Sequence, residues 1–281
     1  MTEKQSGPRK RKPATQKPTA KKFSRFRALL WKLFLLPFRM VWAMFWRLGV
    51  VIFLLVGLGV AYFFTNLPEV YELVDGRAKG SVTLLDHNGD VFAWRGDQFG
   101  GVVTSQTVSP FLKNAVVATE DRRFYRHLGL SPRGVASAIR INLRSGRGPL
   151  SGNGGSTITQ QTAKLICLGV NYDPKVWKSE RGYERDCRRT TLWRKIKEAT
   201  FALALEVKFS KDEILTIYLN RAFLGAGARG FEAASQRYFG KSATMVNAAE
   251  AAMMAGLLKA PSRLAPTDNL SGAQARAAIV I

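Results

Sequence analysis

The stretch SKDEILTIYLN, residues 210–220, carries a complete signal for a buried helix and decides the fold class. Ser210 is suited to cap the helix, and Glu213, three residues later, is suited to reach back to it, so that the two form a capping box. Beyond them, one helical face collects the side chains of Ile214, Leu215, Tyr218 and Leu219. We therefore predict a core helix here and interpret Tyr218 and Leu219 as core residues.

The same type of signal recurs on both sides of this helix. Ser109-Pro110 and Ser131-Pro132 each put an N-cap residue before a proline at the first helical position. Glu250–Leu258 is apolar after its first residue and predicts another helix. The body of the chain, residues 106–281, is therefore predicted to be a mainly α domain.

A short β segment is predicted ahead of this domain. Residues 81–85 and 91–94 are short alternating runs that flank Asn88-Gly89, and this arrangement is typical of a β-hairpin. Residues 68–105 are accordingly predicted to be a linker that contains one hairpin.

The N-terminal region is first basic and then apolar. Residues 1–47 contain thirteen Lys and Arg against one acid, so they carry +12 of the chain's net charge of +23. Leu48–Phe64 adds seventeen uncharged residues, and with the apolar residues before it the run reaches the roughly 20 residues that cross a bilayer. We predict a basic tail over 1–39, disordered over its first 27 residues, and one transmembrane helix over 40–67. Basic residues before a span favour an N-terminus in the cytoplasm and a body outside it.

The excess of positive charge favours a partner that carries phosphate, which includes nucleic acid, anionic lipid and pyrophosphate.

Cys167 and Cys187 bracket a polar stretch, and they suit either a disulfide, if that loop lies outside the cytoplasm, or two free thiols. With His87 and His127 as the two histidines, a histidine-rich metal site is excluded. The residues alone identify no metal ligands.

Four segments combine charged, hydroxyl and amide side chains in one order along the chain. They are EDRRFYRHLG (120–129), GSTITQQ (155–161), RKIKE (194–198) and KDEILTIYLN (211–220). In this order they closely resemble the ED-x-x-F-x-x-H-x-G, GGSTITQQ, RK-x-x-E and K-x-x-IL-x-x-YLN motifs of the family-51 glycosyltransferases. That family comprises the glycan-polymerising domain of class A penicillin-binding proteins and its monofunctional relatives.

The resemblance implies a helical, lysozyme-like lobe with a smaller membrane-facing jaw, to which the loop 144–155 would belong. It implies polymerisation of lipid II into β-1,4 glycan strands, with inversion at the sugar C1 and release of undecaprenyl pyrophosphate. The implied partners are lipid II, the growing lipid-linked strand and other cell-wall synthesis proteins, with no nucleic acid. The implied location is a bacterial cytoplasmic membrane, crossed once.

Carried over residue by residue, the resemblance makes Glu120 the catalytic base, because an attacking sugar hydroxyl must lose its proton to a carboxylate opposite the leaving group. Glu198 matches the second essential carboxylate, which orients the site or helps to hold a divalent cation, Mg²⁺ or Mn²⁺. The candidates for binding pyrophosphate and substrate are Ser156, Thr157, Gln160, Gln161, Lys164, Arg194, Lys195 and Arg276. Backbone N–H groups at the start of the helix after Thr157 are expected to add donors. The residues expected to hold the base in place are Asp121, Phe124 and His127.

Other interpretations stay open. Gln160 and Gln161 suit bracing of their loop as well as sugar binding, and the basic residues suit a solvated helix face. A lysozyme-like enzyme that cleaves peptidoglycan also uses a glutamate but needs no pyrophosphate clamp, and a membrane-tethered scaffold needs neither.

The chain departs from the family pattern at Leu165, where Asn is frequent, and at Ser137 and Thr190, where Arg is usual. Its end falls within what resembles the fifth motif of the family.

Overall fold

The computed structural model describes residues 20–74, 82–88, 91–95, 98–99, 101–149, 154–189 and 191–281. Contacts divide the chain into two compact units, Met1–Leu55 and Val56–Ile281. The predicted mainly α fold class is confirmed. The helices are α1 (Ala20–Asn66), α2 (Val70–Val74), α3 (Pro110–Glu120), α4 (Pro132–Arg144), α5 (Ile158–Leu165), α6 (Glu180–Cys187), α7 (Leu192–Lys208), α8 (Lys211–Arg221), α9 (Phe231–Phe239), α10 (Ala248–Leu257) and α11 (Leu270–Val280). The strands are β1 (Val82–Leu85), β2 (Val91–Arg95), β3 (Gln98–Phe99) and β4 (Ala228–Arg229).

Helix α1 contains the apolar run. Among the described residues, Phe34–Asn66 is the one helical segment that is long and apolar enough to cross a membrane, and it extends further toward the N-terminus than the predicted span. The helix begins at Ala20, so the prediction of disorder is wrong for residues 20–27. Ala, Lys and Arg dominate those residues, and these are among the better helix formers. The rest of the predicted disordered segment, residues 1–19, lies outside the described residues, and residues 28–39 of the predicted tail also belong to α1.

The predicted hairpin is confirmed in its strands. β1 pairs with β2 in the antiparallel sense, with Val82 opposite Arg95 and a register shift after Leu84. The second half of the predicted turn, residues 89–90, lies outside the described residues. A second, parallel pair joins β3 to β4. This pair ties the residues after the hairpin to the segment that follows α8.

Helix α8 forms the centre of the core, as predicted. Its residues 214–220 are all buried, and its capping box between Ser210 and Glu213 is present. Burial of each large aliphatic side chain contributes about 1.5–3 kcal/mol. The polar residues on this helix are also satisfied, since Asn220 exchanges two hydrogen bonds with the backbone of Val103 and Thr216 Oγ1 accepts one from Ser105 N. The prediction that Tyr218 and Leu219 are core residues is confirmed.

The segment after α1 is packed into the body rather than free. Leu67, Leu73 and Val74 are buried in the main core. Lys208 Nζ donates a hydrogen bond to Leu67 O, and Arg221 Nε donates one to Leu73 O at 2.6 Å. The predicted linker, residues 68–105, therefore contains residues that belong to the core, because Leu73 and Val74 lie on α2, which packs against α8.

Candidate active site

Glu120 is the last residue of α3, and its carboxylate is held by a neighbouring helix. Gln161 Nε2, on α5, donates a hydrogen bond of 2.7 Å to Glu120 Oε2. Gln161 Oε1 accepts in turn from the hydroxyl of Tyr218 on α8, at 3.3 Å. Burial raises the pKa of Tyr218 well above its usual value, and the charge of Glu120 raises it further, so the phenol stays a donor. Three helices thus fix the orientation of one carboxylate.

The residue after Glu120 joins the end of α3 to the start of α5. Asp121 Oδ2 accepts a hydrogen bond from Ile158 N at 3.2 Å and lies 2.8 Å from His127 Nε2, which carries the proton because a carboxylate only accepts. Phe124 is fully buried, with Lys211 Nζ 4.6 Å from its ring centroid. The geometry of these three side chains suits the scaffold role assigned to Asp121, Phe124 and His127, which stays a prediction.

The GSTITQQ segment forms the loop before α5 and its first turn. Thr157 and Gln160 close a capping box, each accepting from the backbone N–H of the other, and Thr157 Oγ1 donates to Gly129 O. Both side chains are buried. Two of the backbone donors expected for a pyrophosphate are also engaged within the protein, since Ile158 N donates to Asp121 and Gln160 N to Thr157. Thr157 and Gln160 therefore have a bracing role here, whatever they contribute to binding.

A glycine brings this loop against α4. A Cβ built on Gly155 would lie 2.6 Å from the Cα of Val135, which no side chain tolerates. Ser131, the N-cap of α4, also accepts a hydrogen bond of 2.9 Å from Arg123 Nη2. The EDRRFYRHLG segment, α4 and the glycine loop are therefore packed as one wall.

The RKIKE segment joins this wall through one lysine. Lys195 Nζ, on the first turn of α7, donates to Ser156 Oγ at 2.8 Å and to Glu198 Oε1 at 2.5 Å. The Glu198 side chain is 9% exposed, and Lys195 supplies the charge partner that a buried carboxylate requires. Arg194 lies one turn before Glu198 on the same face. Among the described residues, Arg194 Nη2 is buried without a hydrogen-bond partner.

A cavity of about 400 Å³ opens where these elements meet. Its wall includes Glu120 at the end of α3, Ser137 on α4, and the loop residues Gly155, Ser156 and Thr157. Through Ser156, the Lys195–Glu198 pair is one hydrogen bond away from this wall. The cavity therefore has a carboxylate and hydroxyl groups on its wall, and one of these hydroxyl groups accepts a hydrogen bond from a lysine.

Two predicted binding residues lie further along their elements. Lys164 is three residues after Gln161 on α5, so the two share a helical face, and its ammonium forms no ion pair with any described residue. Arg276 lies on α11, where its side chain covers Gly256 of α10. None of the described residues that line the cavity comes from α10 or α11. The structure thus leaves Arg276 apart from the cavity wall.

Three residues that contribute to this geometry were missed in the sequence. Tyr218 has a hydroxyl that reaches Gln161, but its helical spacing indicates only a core position. Ser131 reads as an N-cap, and nothing in the sequence links it to Arg123. Glu206 accepts hydrogen bonds from Thr159 Oγ1 at 2.5 Å and Lys211 Nζ at 2.7 Å, and it sits in the apolar part of α7 without a motif to mark it.

The cysteine-bracketed stretch forms a small module between α5 and α7. Cys167 and Cys187 are joined by a disulfide, with their Cα atoms 5.1 Å apart. Around it, Tyr172, Trp177 and Tyr183 form a separate apolar cluster. The disulfide thus closes a loop that has its own core.

Comparisons with known proteins identify the family of the chain. The family model described as "Transglycosylase" matches residues 88–281, which is more than half of the chain. Penicillin-binding protein 1A of Aquifex aeolicus is 38% identical over 221 residues, and the proteins of that name from Escherichia coli and Neisseria gonorrhoeae are 37% identical over 220 and 222 residues. These alignments cover 78%, 78% and 79% of this chain but only 28%, 23% and 25% of the relatives, so the chain spans about a quarter of their length. Because the family model matches more than half of the chain, the chain belongs to the transglycosylase family.

Proposed function

We propose that this chain is a peptidoglycan glycosyltransferase that polymerises lipid II into glycan strands, releasing undecaprenyl pyrophosphate. Membership of the transglycosylase family supports the reaction class. The observation that carries the proposal is the cavity that Glu120 and Ser156 line together, with Lys195 of the Lys195–Glu198 pair hydrogen-bonded to Ser156. A base and a cationic group near one space are what a displacement at a glycosyl diphosphate requires.

Glu120 acts as the general base. The 4-hydroxyl of the acceptor sugar gives its proton to this carboxylate while its oxygen bonds to C1 of the donor sugar. The C1–O bond to the diphosphate breaks at the opposite face of the ring, so the anomeric carbon is inverted. The hydrogen bond from Gln161 leaves one carboxylate oxygen of Glu120 available to the acceptor. An oriented base of this kind contributes about 10²–10⁴-fold to the rate.

The departing diphosphate meets positive charge. Lys195 is already oriented by Glu198 and Ser156, so it offers an ammonium donor with little loss of conformational freedom. Arg194 and Lys164 add charge that no described carboxylate neutralises, and the planar fork of arginine suits phosphate oxygens. Glu198 orients this cationic group rather than attacking the sugar, because its carboxylate is buried against Lys195.

We propose that a divalent cation, Mg²⁺ or Mn²⁺, binds only together with the substrate. Among the described residues, no group of three His, Cys, Asp or Glu lies close enough to hold a metal ion. Glu198 supplies one carboxylate, and one of its oxygens already accepts from Lys195. An ion bound here would need diphosphate oxygens as further ligands, as Mg²⁺ commonly does. No step above depends on it.

We propose that the protein is anchored in the membrane that contains its lipid-linked substrate. Lipid II carries its diphosphate on a lipid that stays in the bilayer, and Phe34–Asn66 provides an anchor by length and composition. The basic residues before the span favour an N-terminus in the cytoplasm and a catalytic body on the outer side of a bacterial cytoplasmic membrane. Other cell-wall synthesis proteins and the growing glycan strand are the expected partners there.

The test is polymerisation of labelled lipid II by the full chain in detergent with Mg²⁺, followed by separation of the glycan products. We expect polymer from the wild type, a loss of about 10²–10⁴-fold in Glu120→Gln, and wild-type rates in the control Glu72→Gln, whose carboxylate is exposed on α2. Equal rates in Glu120→Gln and wild type would contradict the proposal. Release of soluble fragments from purified peptidoglycan, without polymer from lipid II, would instead support a cleaving enzyme.

A further inference from the structure

The disulfide loop, residues 167–187, connects the two helices that carry the cationic group. Cys167 follows Lys164 by three residues at the end of α5. Cys187 ends α6, a few residues before Thr191, which caps α7 and accepts a hydrogen bond from Arg194 N. The disulfide brings the two ends of the loop to a Cα separation of 5.1 Å. It therefore restrains the C-terminal end of α5 relative to the N-terminal end of α7.

The loop starts with three residues in a left-handed backbone conformation, which the surrounding structure must stabilise. Cys167, Leu168 and Gly169 are all left-handed, with φ of 51°, 56° and 75°. Two consecutive non-glycine residues rarely adopt this conformation, and it persists only where the surroundings over-determine it. Leu168 is buried, and a Cβ on Gly169 would lie 3.3 Å from the ring of Phe201 on α7. The turn is thus pressed onto the helix that carries Arg194.

The loop has its own aromatic packing. Tyr183 is buried, donates a hydrogen bond to Val170 O and packs edge-on against Trp177 with ring centroids 5.1 Å apart. Burial raises the pKa of the Tyr183 phenol, and the charges of Arg221 and Arg194 oppose that rise.

The outer side of the loop is fixed to the body. Glu184 on α6 pairs with Arg229 Nη2 on β4, and the arginine is largely buried. The loop is therefore held at three points: the disulfide, Phe201 and Arg229. Against this support, Arg194 keeps a buried Nη2 without a hydrogen-bond partner among the described residues. A guanidinium held in this way is pre-organised for an anion.

We propose that the disulfide loop is a positioning element of the donor site, which sets Arg194 relative to Lys164 and so determines affinity for the diphosphate of the lipid-linked sugar. The proposal rests on the function proposed above and adds to it a structural dependence on the Cys167–Cys187 bond. None of the loop residues needs to touch the substrate. Their effect is transmitted through the direction of the Arg194 side chain and the spacing of α5 and α7.

The test compares the oxidised full chain with the same chain reduced by a phosphine, and with Cys167→Ser/Cys187→Ser. We expect reduction to raise the KM for lipid II on the order of tenfold or more, because small misplacements of binding groups have effects of that size, with kcat little changed. The affinity for inorganic pyrophosphate, measured by calorimetry, should fall by a similar factor. The double variant should match the reduced wild type and should not respond to the phosphine.

A matched control is Val176→Ser, which alters an exposed side chain of the same loop and should keep the wild-type KM. If the double variant does not fold, the reduced wild type carries the test, with circular dichroism to verify its helices. An unchanged KM and pyrophosphate affinity after reduction would overturn the proposal, as would an equal response of the double variant to the phosphine. Absence of polymer from the oxidised wild type would instead contradict the proposed function, and the pyrophosphate measurement would still test the loop.

Discussion

The carboxylate of Glu120 is oriented by hydrogen bonds that also join α3, α5 and α8. Glu120, Glu198 and Lys195 could be found in the sequence because each lies in a segment that resembles a family motif. The sequence does not mark Tyr218, since an aromatic residue on an apolar helical face predicts core and nothing in the spacing shows where its hydroxyl points. The amides of Gln160 and Gln161 are adjacent in sequence, yet the first closes a capping box and the second donates a hydrogen bond to Glu120. The two roles differ because successive side chains of a helix point in different directions around its axis.

We predict that Gln161→Ala lowers kcat for lipid II polymerisation on the order of 10- to 100-fold, because the carboxylate of Glu120 loses the donor that orients it. Tyr218→Phe should have a smaller effect in the same direction, since it removes only the support of Gln161. Steady-state rates with labelled lipid II measure both. Gln236→Ala, an exposed amide on α9, serves as the control, and a wild-type kcat in Gln161→Ala would contradict the assigned role.

At the level of elements, the starts of helices could be predicted from the sequence, whereas the contacts between one helix and another could not. The capping signal at Ser210 and the proline after Ser131 give helices whose starts match the structure, because caps act through neighbouring residues. Ser109 is also an N-cap residue, but its hydroxyl donates to Val246 O, which is 137 residues away. The packing of the glycine loop on α4 is equally long-range, and no local pattern specifies it.

Helix α10 offers a test of charge at a helix start. Glu250 closes a capping box with Asn247 and pairs with Lys241 at 2.8 Å. Partial burial by itself would raise the pKa of Glu250, but the hydrogen bonds from Lys241 and from Asn247 N outweigh it and hold the pKa below its ordinary value. A lowered pKa in the folded state means that the charge stabilises the fold above the unfolded-state pKa, about 4.3. This contribution is lost as the pH falls through the folded-state pKa.

Glu250→Gln should therefore be less stable than wild type by roughly 0.5–1 kcal/mol at pH 7, since glutamine keeps the capping geometry and loses the charge. The difference should decrease as the pH falls through the folded-state pKa of Glu250 and disappear once its carboxyl group is protonated. Urea denaturation of both proteins over this pH range measures it. A difference that stays constant down to pH 3 would assign the effect to packing and not to charge.

For the molecule as a whole, the basic-then-apolar N-terminus predicts a membrane anchor, whereas its connection to the body could not be foreseen. Within the unit Val56–Ile281, Phe63 packs edge-on against Phe201 with ring centroids 5.0 Å apart, and Gly59 lies close to Thr200. The sequence gives no reason for one apolar residue of a span to face protein and another to face lipid. Hydropathy is the same for both, and only tertiary packing distinguishes them.

We predict that Phe63→Ala destabilises the folded body by roughly 2–3 kcal/mol, because it removes a large side chain from a contact with the core. Phe53→Ala changes the same residue type in the same helix at a position that is 76% exposed, and it should be nearly neutral. Chemical denaturation in one detergent, followed by near-ultraviolet circular dichroism, compares them. Equal losses for the two variants would indicate that α1 contributes no packing to the body.

Lys208 and Arg221 donate hydrogen bonds to the segment after α1, and both acceptors are main-chain carbonyl oxygens, those of Leu67 and Leu73. Every residue type has such an oxygen. These two attachments therefore do not depend on the side chains at positions 67 and 73, and a sequence that varied there would retain them as long as its backbone kept the same course.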